Sequence, residues 1–168
     1  MRTFARRMAA ATTAAIVVFA ALLVGGGPAS ADSSGHFGPY SVVDSWKAKT
    51  GETVYLRVGS WDGNRGSGYT KIVNYHNLTT AAVKAATLYS KDIKPQGGTT
   101  KRFETPVEHV ECHGASIFRT CRVIEVITLV AVVNFRPLGD GTTFGVVTAF
   151  CDNRPPRCPD WVKDAINI

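Results

Sequence analysis

Residues 66–79 read Gly-Ser-Gly-Tyr-Thr-Lys-Ile-Val-Asn-Tyr-His-Asn-Leu-Thr. A glycine-rich turn precedes a short helical run that carries Lys71 and His76. An unperturbed histidine titrates near pH 6.5, so His76 can take up and return a proton close to neutrality. RNA brings its own nucleophile, the 2′-hydroxyl. Cleaving it needs a base on that hydroxyl, positive charge on the phosphate and an acid on the leaving 5′-oxygen. His76 suits the base or the acid, and Lys71 suits the phosphate. Five helical residues turn through about 500°, which leaves Lys71 roughly 140° from His76. A cation at a helix start opposes the macrodipole, so its placement asks for another reason. Each residue also has a plain structural use, as a capping histidine or a solvated lysine.

Further along, residues 146–150 read Val-Val-Thr-Ala-Phe. Strict alternation puts Val146, Thr148 and Phe150 on one face. There a hydroxyl can bind a phosphate oxygen and a ring can stack a base. Arg57, Arg102, Arg119, Arg122 and Arg136 lie near strand ends, and arginine suits bidentate phosphate contact. Arg136 follows a long strand directly and is expected beside Thr148 across a hairpin. Arg57 and Arg122 are the further candidates for substrate contact. His109 and His113 flank Cys112 and are candidates for a second acid or base, while His36 sits in a lead-in. No Gly-x-Ser-x-Gly elbow, phosphate-binding Walker loop or His-Glu-x-x-His occurs.

The elements that must position these groups follow from the pattern. Residues 53–59 alternate and are rich in β-branched and aromatic types, as in a strand. Residues 60–68 carry glycines with Asp62 and Asn64 and read as a loop. A short helix is expected over 69–77. A second is expected over 81–89, capped by Thr79 or Thr80, with Ala82, Val83, Ala86 and Tyr89 on one face. The cluster Pro95-Gln96-Gly97-Gly98 closes this helical half. Residues 102–110 read as a broken strand, 121–135 as a long central strand and 142–150 as its hairpin partner. Residues 161–166 suit one helical turn. The fold class is α+β, with N-terminal helices packed on a curved antiparallel sheet.

Residues 1–31 have the form of a secretory signal peptide. Arg2, Arg6 and Arg7 precede an apolar run over 9–24, and Ala29-Ser30-Ala31 is a small-x-small cleavage site. Residues 32–52 are then a loose lead-in, and residues 53–168 a single domain with no membrane segment and no membrane partner expected after cleavage. The chain has 19 Lys and Arg against 13 Asp and Glu. Three of those arginines lie in the leader, which contains no acid. The mature chain is therefore mildly basic, at +3, which permits a polyanionic partner without demanding one. All four cysteines fall in the exported part, and an even count there reads as two disulfides. Cys112 with Cys121 and Cys151 with Cys158 is the favoured pairing, because each pair brackets a short polar or Gly/Pro-containing loop. Zinc knuckles need closer spacing, so no metal is expected.

The ordered motifs resemble the barnase/EndoU/colicin/RelE-like ribonuclease fold. The Gly-x-Gly-Tyr opening, a helix ending in His76, the long strand and the late Thr-Ala-aromatic hairpin carry the likeness. It is strongest to the EndoU-like nuclease domains that end bacterial polymorphic toxins, and it spans roughly residues 53–150. The resemblance implies cofactor-free, metal-independent cleavage of RNA, often tRNA, to a cyclic phosphate. For a toxin it also implies an immunity or inhibitor protein, while the signal peptide points to a secreted bacterial protein, expected as a monomer and exported alone, unlike family toxin domains that ride on a large delivery protein. His76 matches the family's helix histidine and Thr148 its strand hydroxyl. Lys71 stands where many members have histidine, and Phe150 where many have tyrosine. The alternative is a non-catalytic secreted module. It would be a protease inhibitor presenting Asn153-Arg154-Pro155-Pro156-Arg157, or a cell-surface binder using Trp46 and Trp61.

Overall fold

In the computed structural model, which describes residues 38–165, strands dominate and three α-helices interrupt them. The leader expected over 1–31 and His36 lie outside the described residues.

The expected strand at 53–59 is β2 (Thr53–Arg57). Its alternation buries Val54 and Leu56 completely. It pairs antiparallel with β1 (Val42–Lys47), which lies inside the expected lead-in. The domain therefore starts before residue 53. Val42 and Val43 are exposed, and only Trp46 turns an apolar side chain inward, so the strand had almost no hydrophobic signal. Polar bonds hold it instead. Trp46 Nε1 donates to Thr87 Oγ1 at 2.7 Å, and Lys84 pairs with Asp44 at 2.8 Å.

The loop expected over 60–68 holds a small hairpin, β3 (Ser60–Trp61) with β4 (Gly66–Ser67). The Asp62 carboxylate closes its turn by accepting from the Asn64 and Arg65 amides, at 2.8 and 2.6 Å. Helix α1 (Gly68–Asn74) follows. It stops short of His76, because Tyr75 caps it and Asn77 then takes a left-handed φ of 60°. That turn delivers the chain to Thr79, whose hydroxyl accepts from Ala82 N at the start of α2 (Thr80–Leu88). Ala82, Val83, Ala85 and Ala86 are buried, while Tyr89 is exposed.

The main sheet is antiparallel, in the order β5 (Asp92–Pro95), β6 (Thr100–His113), β7 (Thr120–Pro137), β8 (Thr143–Cys151). β6 is continuous where a broken strand was expected. Pro106 lies within it, two residues beyond Glu104, the last residue of β6 paired with β5. Its missing N–H costs no ladder bond there. The inward face carries Phe103, Thr105 and Val107 of β6, Ile127, Leu129, Ala131 and Val133 of β7, and Val146, Ala149 and Cys151 of β8. The reverse face carries Arg102, Glu104, Val130, Val132, Thr148 and Phe150. A bulge after Val146 is what separates the two sets on β8: Val133 pairs with Val146, but Val132 pairs with Thr148. The expectation that Val146 shares a face with Thr148 and Phe150 therefore fails.

Strand β2 lies against β8 at Gly145, where φ is 89° and an added Cβ would stand 2.0 Å from the Tyr55 carbonyl oxygen. Gly145→Ala is expected to cost about 1–3 kcal/mol through backbone strain alone. A fall in the urea midpoint with unchanged m-value would register it.

Past residue 107, β6 and β7 run on together without β5 or β8 beside them. The resulting two-stranded arm is closed by the Cys112–Cys121 disulfide and a 3-10 turn at Ser116–Phe118. The chain ends its described part in α3 (Asp160–Ala165), where Val162 is buried and Trp161 stacks on His109 at 4.7 Å.

Candidate functional site

His76 sits just past the C-terminus of α1 and is 9% exposed. Residues far along the chain fix it. Its ring Nδ1 lies 2.9 Å from the Pro156 carbonyl oxygen, and its own carbonyl accepts from Cys158 N at 3.0 Å. Next to it, Asn77 Nδ2 donates to the Cys158 carbonyl and to Asp160, at 3.0 and 2.8 Å. The Cys151–Cys158 disulfide closes the loop that supplies these partners. A carbonyl only accepts, so the neutral ring carries its hydrogen on Nδ1. Nε2 is then left with a lone pair, and it has no partner in the structure although it is buried. Burial pushes the pKa of His76 below its ordinary 6.5; the Pro156 contact opposes this, and the nearby Lys71 charge adds to the lowering. The ring is thus neutral near pH 7, and His76 borders a cleft of about 260 Å³ lined also by Phe150, Cys151, Asp152, Asn153 and Pro155.

Rings and cations run outward from His76 on both sides. Tyr75 meets the imidazole edge-on at 4.8 Å and Trp61 at 4.5 Å. Lys71 Nζ stands 5.4 Å over the Trp61 ring. On the other side Phe150 lies 6.0 Å from the imidazole, and the Arg102 guanidinium stands 5.4 Å over Phe150. Arg102 is oriented by Glu104 at 2.6 Å and by Asp152 at 3.4 Å. Hydrogen bonds from Lys94 and from Arg102 hold the Glu104 carboxyl below the ordinary 4.5. Glu104 is therefore a fixed anion that aims two cations, and a weak proton acceptor. Thr148 lies two residues from Phe150 on the same face, and its buried hydroxyl also lacks a partner.

The structure thus gathers His76, Lys71, Thr148 and Phe150 around one region, and it disperses the other expected site residues. Arg57 is 5% exposed. It donates to the carbonyls of Tyr40, Phe144 and Thr143 and to Thr142 Oγ1, and it pairs with Asp140. It ties β2 to the β7–β8 turn and has no group to spare for a substrate. Arg136 stacks over Phe144, at the opposite end of β8 from Phe150. Thr148 pairs with Val132, four residues and roughly 13 Å back along the strand from Arg136, so the two are not neighbours. Arg122 lies on the arm, opposite Glu111. His109 is stacked on Trp161, and His113 is near Glu111 at the arm's end. Neither histidine is beside His76.

Arg102 gained its place from period-two geometry, which puts it on the same face as Glu104 and Phe150. Trp61 and Tyr75 were harder to see, because a hairpin and a helix cap bring them together. The four cysteines pair as expected, which fits an oxidising compartment. Among the described residues no helix is long and apolar enough to cross a membrane. No family model, curated protein or solved structure matches the chain.

Proposed function

We propose that this chain is a secreted, metal-independent endoribonuclease, with the helices-on-curved-sheet architecture of the barnase/EndoU/colicin/RelE-like enzymes and an antibacterial toxin role. The observation that carries this reading is the neutral, tautomer-fixed His76 within an aromatic and cationic row, Lys71–Trp61–Tyr75–His76–Phe150–Arg102. Rings of this kind stack successive bases with little sequence preference, and the cations track the backbone.

His76 Nε2 accepts the proton of the 2′-hydroxyl. The oxygen attacks phosphorus, the P–O5′ bond breaks, and the 5′-oxygen takes a proton from solvent. Lys71 and Arg102 offset the charge that builds on the phosphoryl oxygens, and Thr148 offers its hydroxyl to one of them. The products are a 2′,3′-cyclic phosphate and a free 5′-hydroxyl. The substrate is RNA, with tRNA the first to try, and the enzyme acts as a monomer. A toxin of this kind needs an immunity protein in the producing cell.

One observation favours a second reading, a non-catalytic secreted module: Nε2 is shielded in the structure, so RNA must displace the Phe150 side or the 151–158 loop to reach it. The inhibitor version of that module has less support. Arg154 is paired with Glu125, and Arg157 donates to the Asn74 carbonyl. Trp46 is bonded into α2 and offers no free platform.

The test is cleavage of total tRNA and of a single-stranded oligonucleotide in EDTA by oxidised protein. Cyclic-phosphate ends are expected. A folded, disulfide-bonded sample that cleaves neither substrate selects the binding module. Within an active sample, Arg102→Ala is expected to raise KM for RNA about ten- to a hundredfold, the worth of one charge-assisted contact. Arg102→Lys should recover only part of it, because the planar fork is lost.

A further inference from the structure

We propose that the tip of the β6–β7 arm seats in the interface of an anionic lipid bilayer. This inference stands apart from the nuclease reading. Ile117 and Phe118 are 87% and 79% exposed, the highest among the large apolar side chains of the described residues. They sit side by side at the far end of the arm, and so large an exposed apolar pair marks a contact surface. From residue 112 to residue 122 the chain carries Arg119, Arg122 and His113 and no carboxylate. The charge beside the apolar tip therefore matches a negatively charged headgroup layer.

The arm behind the tip is two-faced. Val110 pairs with Val123 and Glu108 with Val126, and all three valines are about half exposed. They lie on the face that also bears Glu108 and the Cys112–Cys121 bridge. The other face carries Glu111 opposite Arg122, with His113 at 3.6 Å from Glu111. Two side chains on a narrow tip cover far less than the roughly 800 Å² that a stable protein interface needs from each partner. A bilayer interface accepts such a wedge: aromatic rings settle at headgroup depth, and arginines reach past them to phosphate. The disulfide holds the tip in shape beforehand, so insertion orders little.

The experiment is flotation of residues 32–168, which contain the whole compact unit of 36–168. Two vesicle types are compared: phosphatidylglycerol with phosphatidylcholine in equal parts, and phosphatidylcholine alone. The chain is expected to float with the anionic vesicles. I117S/F118S should reduce this partition tenfold or more. R119Q/R122Q should bring it down to the level on phosphatidylcholine. Circular dichroism and thiol titration confirm that each variant keeps its fold and both bridges. A wild-type chain that stays unbound to anionic vesicles overturns the proposal, as does I117S/F118S binding at the wild-type level.

Discussion

His76→Gln is expected to lower kcat/KM for RNA by about 10²–10⁴-fold, the range for loss of a positioned general base. Glutamine retains much of the side chain's length and can still donate to the Pro156 carbonyl, so the loop stays docked while the base is gone. The wild-type pH profile carries the same information. Burial lowers the His76 pKa, with Lys71 adding to it, so the neutral ring persists below pH 6.5. The acid limb of kcat/KM should therefore have its midpoint under 6.5, and Lys71→Met should move it upward. Stability has the matching sign. Above pH 6.5 the ring is neutral in both states and adds no pH dependence. As pH falls below 6.5 the unfolded chain binds the proton first, and the native state loses stability until its own lower pKa is passed. Unchanged cleavage in His76→Gln, by a sample of normal melting behaviour, would remove His76 from the mechanism.

The sequence revealed most where local chemistry and burial agree. The Thr79 cap, the alanine face of α2, and the long strand with its hairpin partner all carry strong local signals, and so do the two Cys pairs. β1 was hidden because its anchoring is by polar bonds from Trp46 and Asp44 rather than by an apolar face. The bulge at Val147 was hidden too, because an extra residue leaves no mark on composition and yet moves Val146 to the other side of the sheet. The site was half legible. His76 and Phe150 have chemically suggestive types, whereas Arg57 looked like a ligand contact and proved to be a buried brace. Nothing in the local sequence says that Pro156 will meet His76. That contact is made by a loop eighty positions away.

Cys151→Ser/Cys158→Ser is expected to cost about 2–5 kcal/mol of unfolding free energy, the usual range for a small exported domain. Chain entropy is only part of the loss. Cys151 ends β8 beside Leu129, and Cys158 supplies both the amide that holds the His76 carbonyl and the carbonyl that Asn77 Nδ2 meets. Without the bridge the 151–158 loop loses its tether, and the Nδ1–H of His76 loses its fixed acceptor. Activity should then fall by more than the folded fraction alone explains. The comparison is specific activity against native fraction by circular dichroism, at a temperature where the variant is still mostly folded. Removing Cys112 and Cys121 is the control. That bridge lies on the arm, away from His76, so cleavage per folded molecule should hold. A bridge variant at 151 and 158 with full specific activity would show that the His76 clamp stands without its staple.

The eighty-residue separation between His76 and Pro156 also has a consequence in time. A growing chain makes His76 eighty residues before the carbonyl that meets its ring. Contacts between positions so far apart close late in folding, and this one is reinforced by a bond that forms only under oxidation. Thiol-rich cytosol keeps such cysteines reduced. The His76–Pro156 contact therefore gains its covalent support only in an oxidising space.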